Sequence, residues 1–441
     1  MRLRLLNACC FAGAMALCYA QVPADHDLKL VGDRFAPLIW ATLTPEQKVM
    51  VEHLFTGERH GAGGPFNVLL RAPELGDELQ AYGAYIRYHP SLPRQITELV
   101  IMTSVRYWNT ESEWNAHKTI ALRAGLDPAI ASAIAEGVRP QHMPPDVEAA
   151  YNFVDELLTT HQLTDRAFRA AIDRFGEKGV VDVMGAMGYY GIVSFALNVD
   201  RYPLSKSVKP ELKQAENRLP LANPLGFATP PEPPSSPIVF KASTVANGKK
   251  MILRGDRFPG LSYEEMTPLQ RAMADRAVNG RGTTGTFNIS VRDMELTDLL
   301  WPVGERVRFH MTVGERLKEL SILIAGRYWG AQFEWLAHRN AGVRAGLGEA
   351  TVRAIAEGKR PTNLPPDEEA VYNFCTEFFK TKQVSDATFD AVKDKIGERG
   401  IVEIIGAAGQ YQMVSLFMNV DRYPLELNQK PELMLLAHPL P

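Results

Sequence analysis

The chain repeats itself, and this repeat constrains its fold more than any other feature. Residues 98–125, ELVIMTSVRYWNTESEWNAHKTIALRAG, return 221 positions later as residues 319–346, ELSILIAGRYWGAQFEWLAHRNAGVRAG. Both segments keep an initial glutamate, an Arg-Tyr-Trp run, a Glu-Trp-x-x-His box and an Arg-Ala-Gly end that precedes a leucine. Self-similarity at this scale predicts that one domain occurs twice in the chain.

The extent of the repeat defines the predicted domains. Asp33-Arg34-Phe35 and Asp256-Arg257-Phe258 open the two copies, and the later register runs without a gap to Pro220 and Pro441. Residues 221–250 between the copies include a proline-rich stretch, which is typical of a semi-extended spacer. We therefore predict repeat 1 over residues 28–220, a linker over residues 221–250 and repeat 2 over residues 251–441, in agreement with the two to three domains expected for 441 residues.

The N-terminal residues have the pattern of an export signal. Arg2 and Arg4 precede an apolar run over residues 5–20 that ends in a small residue. This pattern predicts a signal peptide over residues 1–20 and a periplasmic or secreted protein. The run is short for a membrane span, which needs about 20 apolar residues. The alternatives are an apolar N-terminus or a membrane anchor, but we expect no stable membrane insertion after signal removal.

Cysteine usage and net charge exclude several classes of function. Three of the four cysteines, Cys9, Cys10 and Cys18, lie in the predicted signal, so the mature chain keeps only Cys375 and forms no internal disulfide or thiol pair. The net charge of −3 gives no case for a nucleic-acid partner.

The apolar spacing within each copy is helical. Val147, Tyr151, Val154 and Leu158 share one face of a segment that begins after two prolines. The last long segment of each copy is rich in glycine, which predicts close contact between helices. We find no convincing alternating strand pattern, so we predict an all-α fold of two domains related by pseudo-twofold symmetry.

Polar residues inside the repeated segments mark the candidate site. Glu98 lies in a nearly continuous apolar helix and needs an arginine, a histidine or a proton as partner. Asn109 corresponds to Gly330, and both residue types tolerate the left-handed backbone of a helix end, so we expect a turn there. The next helix carries Glu113 and His117 on one face, and the turn returns it towards Glu98.

The predicted catalytic set contains a glutamate, an arginine, a second glutamate and a histidine from each copy: Glu98, Arg106, Glu113 and His117, with Glu319, Arg327, Glu334 and His338. We expect the arginines to hold a substrate carboxylate, the histidines to deliver a proton, and the glutamates to orient them or act as second acids. No HExxH motif or dense His/Cys cluster occurs, so we expect neither a metal nor an organic cofactor.

A structural reading of the same residues stays open. A Glu–His pair at this spacing is often a surface ion pair or a satisfied core histidine. Of the ten histidines, only His117/His338 and His89/His310 match between the copies, and the second pair lacks a retained carboxylate nearby. We therefore expect one active site at His117 and one at His338, with a non-catalytic buried network as the alternative.

These residues also carry a family resemblance. Gly64-Pro65-Phe66-Asn67, the buried Glu98, the Glu113-to-His117 box and its copy resemble the carboxymuconolactone decarboxylase family of the alkylhydroperoxidase D-like superfamily. The resemblance covers nearly the whole mature chain. It implies packed helical hairpins and assembly as trimers or hexamers, so a tandem chain is expected to self-associate as a trimer that forms a pseudo-hexamer.

The peroxidase branch of that superfamily carries a Cys-x-x-Cys pair before the histidine. This chain has Thr110 and Glu113 there, and Ala331 and Glu334 in the second copy, so it lacks the thiols that such a mechanism requires. The resemblance therefore implies a cofactor-free carbon–carbon lyase that decarboxylates a small carboxylated lactone or related cyclic acid. The alternatives are a secreted helical binding or assembly protein, or a superfamily member labelled peroxidase-like but without the thiol pair.

Overall fold

A computed structural model describes residues 28–212, 238–426 and 428–433. We call residues 28–212 the first half and residues 238–433 the second half. The predicted signal peptide with its three cysteines, residues 221–237 of the predicted linker, and the two ends at Pro220 and Pro441 lie outside the described residues.

The described residues are mainly α-helical, which confirms the predicted helical class. The helices of the first half are α1 (Pro45–Thr56), α2 (Phe66–Leu69), α3 (Pro73–Tyr88), α4 (Arg94–Tyr107), α5 (Glu111–Arg123), α6 (Pro128–Glu136), α7 (Pro145–Thr160) and α8 (Asp165–Asp200). Those of the second half are α9 (Pro268–Asn279), α10 (Phe287–Ser290), α11 (Met294–Phe309), α12 (Glu315–Trp329), α13 (Gln332–Arg344), α14 (Glu349–Ala356), α15 (Pro366–Thr381) and α16 (Asp386–Asp421). Short 3-10 helices, Trp40–Thr42 and Tyr263–Glu265, precede α1 and α9.

Local sequence signals account for where these helices begin and turn. Thr44 and Thr267 cap α1 and α9, and each accepts a hydrogen bond from the backbone of the glutamine three residues later. Asn109 has a φ of 55° and Gly330 a φ of 64°, so the expected turn between α4 and α5, and between α12 and α13, is confirmed. The hairpins α4–α5 and α12–α13 carry the candidate site.

The long helices α8 and α16 form the centre of the molecule and pack against each other. Both are long and apolar enough to cross a membrane, but their apolar stretches are entirely buried in the protein, as in core helices. Each is kinked at a glycine of positive φ, Gly176 and Gly397. A Cβ at Gly191 would lie 1.7 Å from the Gln412 side chain, which confirms the close helix contact expected from the glycines.

A β-hairpin corrects the sequence interpretation, which placed no strand in the chain. Strands β1 (Val239–Thr244) and β2 (Lys250–Gly255) pair antiparallel, with Thr244 opposite Lys250. Met251 and Leu253 point into a small apolar cluster with α9 to α11. The signal was present, because Asn247-Gly248 is typical of a hairpin turn, but the prediction assigned these residues to the linker.

Reciprocal contacts join the two halves. Arg34 donates to the Asp386 carboxylate at the start of α16 (2.7 Å), and Arg257 donates to Asp165 at the start of α8 (2.8 Å). One apolar core runs continuously through both halves, with the hairpin cluster beside it. The candidate hairpins are therefore held in a rigid frame to which both halves contribute.

Candidate active site

The first-half cluster lies where α4 packs on α5. His117 Nδ1 is 2.7 Å from Glu98 Oε2, and Arg94 Nη2 is 2.7 Å from Glu98 Oε1. The Glu98 side chain is 0% exposed, so these partners supply the compensation that a buried carboxylate requires. Because a carboxylate accepts the Nδ1 proton, the imidazole is oriented with Nε2 towards α8.

The second ring nitrogen of His117 is also engaged within the protein. The Tyr190 hydroxyl on α8 lies 2.9 Å from His117 Nε2, and Glu113 Oε2 lies 3.4 Å from the same atom. The Tyr190 ring meets the imidazole edge-on, with centroids 4.9 Å apart. Both nitrogens of this buried histidine therefore have protein partners.

In the second half, a histidine likewise lies between two glutamates, and the contacts are longer. His338 Nδ1 is 2.8 Å from Glu319 Oε2, and His338 Nε2 is 3.5 Å from Glu334 Oε2. The cation beside Glu319 is Lys318, whose Nζ is 3.8 Å from Oε1. Tyr411 packs edge-on against the imidazole at 4.5 Å between centroids. The histidine is thus held from one side by Glu319, with Nε2 facing Glu334.

Burial and charge shift protonation differently in the two clusters. Burial lowers the pKa of His117, but hydrogen bonds to Glu113 and Glu98 raise that pKa by more, so the net shift is upward. In the second half, burial raises the pKa of Glu334, and the charges of His338 and Arg308 offset this only in part. The first cluster therefore favours an imidazolium, while the second favours a carboxylic acid that can donate a proton.

A cavity of about 90 Å³ lies beside His338. A second cavity of about 60 Å³ adjoins it. Both reach exposed Thr284 at the surface, and about 10–15 Å³ is enough for one water molecule. Residues of the first cavity are Arg281, Thr284, Gly285, Thr286, Gly304, Arg308, Phe333, Glu334, Ala337, His338, Gln410, Tyr411 and Val414. The second-half cluster therefore faces a space that small molecules can enter.

The structure brings together the two glutamates and the histidine of each copy, but it places the predicted arginines elsewhere. Arg106 donates from Nε to the Ile134 carbonyl on α6. Arg327 is 3% exposed, and burial lowers its pKa to about 10. Arg327 and Glu319 do not line the cavity beside His338. The guanidinium groups at that cavity belong to Arg281 and Arg308 instead.

Sequence reasoning missed Arg281 and several other residues at the two clusters. Tyr190 and Tyr411 touch the histidines, and they lie 221 positions apart, so the repeat itself was a usable signal. Arg308 has an equally spaced counterpart in Arg87. The ion-pair partners of Glu98 and Glu319, and residue Gln410, differ between the halves, and no repeat could have indicated them.

The one cysteine among the described residues lies apart from the two histidine clusters. Cys375 is buried in α15, and burial raises the pKa of its thiol. In the part of the chain that the structure describes, no group of three His, Cys, Asp or Glu side chains is arranged to hold a metal ion.

Comparison with known proteins adds no further evidence about the site. No protein-family model, no curated protein and no solved structure matches the chain.

Proposed function

We propose that the protein is a cofactor-free acid–base enzyme of the carboxymuconolactone decarboxylase type, which removes CO2 from a small carboxylated lactone or related cyclic acid. One observation carries this proposal: His338, oriented by Glu319, lines a cavity with Glu334 and two arginines. Decarboxylation without a cofactor needs a cation for the substrate anion and a proton for the carbon that loses CO2. The cavity offers both.

The proposed reaction is balanced by one proton. Arg281 and Arg308 hold the anionic substrate. The bond between ring carbon and carboxylate breaks, CO2 leaves, and the electron pair passes into the conjugated lactone carbonyl. His338 or Glu334 then delivers a proton to the resulting enolate carbon, and solvent restores that proton. Glu319 keeps the imidazole oriented and stabilises its charged form.

We also propose that the halves are two alkylhydroperoxidase D-like domains related by a pseudo-twofold axis. Helix α3 begins 221 positions before α11, and the same interval separates α8 from α16. Asn198 donates to the Lys382 carbonyl, and Asn419 donates to the His161 carbonyl, so the interhalf contacts are exchanged as such an axis requires.

Export and self-association complete the proposal. The basic, then apolar N-terminus supports a cleaved signal peptide and a periplasmic or secreted enzyme. The family resemblance supports a trimer of tandem chains. Mass spectrometry of the mature N-terminus and light scattering of the purified protein test these two points. An intact residue 1–20 segment, or a monomer at micromolar concentration, contradicts the respective point.

The test of function is direct measurement of CO2 release from a panel of carboxylated lactones and cyclic acids. We expect turnover of at least one member by the mature protein without added metal or cofactor. Release should depend on His338, because that residue lines the cavity. Turnover at the wild-type rate in a folded His338→Gln variant contradicts the proposal.

A second candidate function is supported by the first half. There, Glu98 and Tyr190 engage both nitrogens of His117, as expected of a buried structural network. If both clusters serve this role, the protein is a secreted helical binding or assembly module, or a peroxidase-like superfamily member that has lost the thiol pair. Binding of a carboxylated lactone without CO2 release favours this candidate.

A further inference from the structure

The two halves differ in side-chain size next to the cluster tyrosine. Tyr189 in α8 and Gln410 in α16 lie 221 positions apart. Tyr189 is 3% exposed, and its ring packs directly on Gly83 of α3, where an added Cβ would lie 2.0 Å from Tyr189 Cζ. Its ring also meets Tyr82 edge-on at 5.1 Å. In the first half, therefore, an aromatic ring occupies the space between α3 and α8.

An arginine contacts this tyrosine in the first half and has no such tyrosine beside it in the second. Arg59 donates to the Gln80 carbonyl (3.3 Å), and Arg281 donates to the Trp301 carbonyl (3.4 Å), which lies 221 positions after Gln80. The two guanidinium groups thus hold corresponding places. Arg59 also donates to the Tyr189 hydroxyl (3.2 Å). Among the described residues, Nε of both arginines is buried without a hydrogen-bond partner, so the two arginines differ in the contact of Arg59 with the tyrosine hydroxyl and not in Nε.

Gln410 provides independent evidence for a ligand. It is 4% exposed, and within the described residues its buried Oε1 has no hydrogen-bond partner. The same side chain lines both the 90 Å³ and the 60 Å³ cavity. A buried polar atom without a partner is unfavourable, so its retention beside a cavity points to a molecule that completes it.

We infer that Arg281, Arg308 and Gln410 form the substrate-binding subsite of the second half, and that the first half, filled by Tyr189, binds no substrate. The two guanidinium groups take a carboxylate, and the amide of Gln410 takes the carbonyl or hydroxyl oxygen of the same small ring. The inference rests on the proposed function for its substrate class, but binding tests it separately from turnover. The repeat alone predicts two equal active sites, whereas this inference assigns substrate binding to the second half only.

The charged groups at the second-half cavity favour an anionic ligand. Burial lowers the pKa of Arg281, and the nearby charge of Arg308 lowers it further. Glu334 is the one carboxyl group among the described cavity residues, and its pKa is raised. A bound carboxylate therefore meets two cations and a carboxyl group that favours its neutral form.

Isothermal titration calorimetry with 5-oxotetrahydrofuran-2-carboxylate tests the inference, with uncharged γ-butyrolactone as the matched ligand. We expect one carboxylate bound per chain and at least tenfold weaker binding of γ-butyrolactone. Arg308→Gln should weaken carboxylate binding about tenfold or more, since it removes a charge-assisted contact. Arg87→Gln, at the corresponding position of the first half, should leave binding unchanged.

Gln410→Tyr places in α16 the residue type that α8 has at Tyr189, and it should abolish binding of the carboxylate. Circular dichroism and thermal unfolding establish whether this variant folds. If it does not fold, the Arg308→Gln variant, which changes a partly exposed residue, carries the test. Two ligands per chain, equal losses in Arg308→Gln and Arg87→Gln, or no carboxylate binding at all would overturn the inference. Binding at this subsite without CO2 release contradicts only the proposed function. CO2 release that survives both second-half variants contradicts only the subsite.

Discussion

His117 and His338 occupy corresponding places in the two halves, but their surroundings differ in access. Each is held through Nδ1 by a buried glutamate. The Tyr190 hydroxyl then engages Nε2 of His117 at 2.9 Å, whereas His338 lines a cavity that reaches the surface. The repeated motif therefore preserves the orientation of a histidine, while the residues of α8 and α16 decide whether a substrate can reach it.

The largest predicted difference between the halves is in turnover. His338→Gln should lower CO2 release by about 10²–10⁴, the usual contribution of a general acid or base. His117→Gln should leave most of the turnover, because Glu98 and Tyr190 already engage both nitrogens of that residue. Steady-state kinetics of the two variants on an established substrate measures this difference.

Thermal unfolding is the control for these histidine variants. A purely structural histidine would lower the melting temperature, and any loss of turnover would follow the loss of folded protein. Equal halving of turnover by the two variants would instead restore the expectation of two independent, equal sites. Full turnover in the folded double variant would remove both histidines from catalysis.

The second prediction concerns stability at the paired glutamates. Glu98→Gln should destabilise the protein by about 3 kcal/mol, because it removes the charge of a buried carboxylate that contacts buried His117 and partly exposed Arg94, each at 2.7 Å. Glu319→Gln should cost less, since Lys318 lies 3.8 Å from that carboxylate. Urea unfolding of both variants, followed by fluorescence and circular dichroism together, measures the difference. A larger loss for Glu319→Gln would contradict the tighter network assigned to the first half.

The sequence predicted the helical class, the turn at Asn109 and the buried glutamate, because each follows from local pattern or from the repeat. It could place Glu113 and His117 on one face, since helical spacing fixes that relation. It also placed Arg106 in the set, because Arg106 lies eight residues after Glu98, about two helical turns further along. Spacing within one helix does not determine which residue of another helix a side chain contacts, so this placement did not hold. Arg106 instead contacts the Ile134 carbonyl on α6.

The cavity could not be predicted, because it depends on contacts between distant segments. Arg281 comes from the loop after α9, Arg308 from α11, and Gln410 from α16. Their convergence is a property of packing rather than of spacing. The hairpin β1–β2 was missed for another reason: its first strand and turn were assigned to the linker and nearly all of its second strand to repeat 2, despite the Asn247-Gly248 signal.

A third prediction concerns Asp182 of α8 and the corresponding residue of α16, Glu403. Asp182 is buried, and burial together with the nearby Asp293 raises its pKa to about 6. Its counterpart Glu403, 221 positions later, has an arginine within reach, since Arg399 Nε lies 3.1 Å from Oε1. Tyr85 hydrogen-bonds to Asp182 at 3.0 Å and to Asp293 at 2.8 Å. Asp182 therefore favours its protonated form more than an exposed aspartate does.

The sign of the pH effect follows from that raised pKa. The folded state binds this proton more tightly than the unfolded state, so stability should fall as the pH rises from about 4 through about 6 and then level off. The change should be on the order of 3 kcal/mol, since each unit of pKa corresponds to about 1.36 kcal/mol. Asp182→Asn should flatten this fall in urea unfolding measured across the pH range. An unchanged profile would mean that Asp182 does not titrate there.

The smallest predicted effect concerns Cys375, which occupies the position of Val154 in the first half. Both side chains are 0% exposed, so Cys375→Val exchanges one small buried apolar group for another of similar volume. Such exchanges usually cost less than about 1.5 kcal/mol. Burial raises the pKa of the thiol, so it is a poor nucleophile, and we expect the variant to show the same CO2 release and no change in hydroperoxide reduction. A robust hydroperoxide reduction that disappears in a folded Cys375→Val protein would show that this single thiol is catalytic and that access to the core of the second half is far greater than the structure indicates.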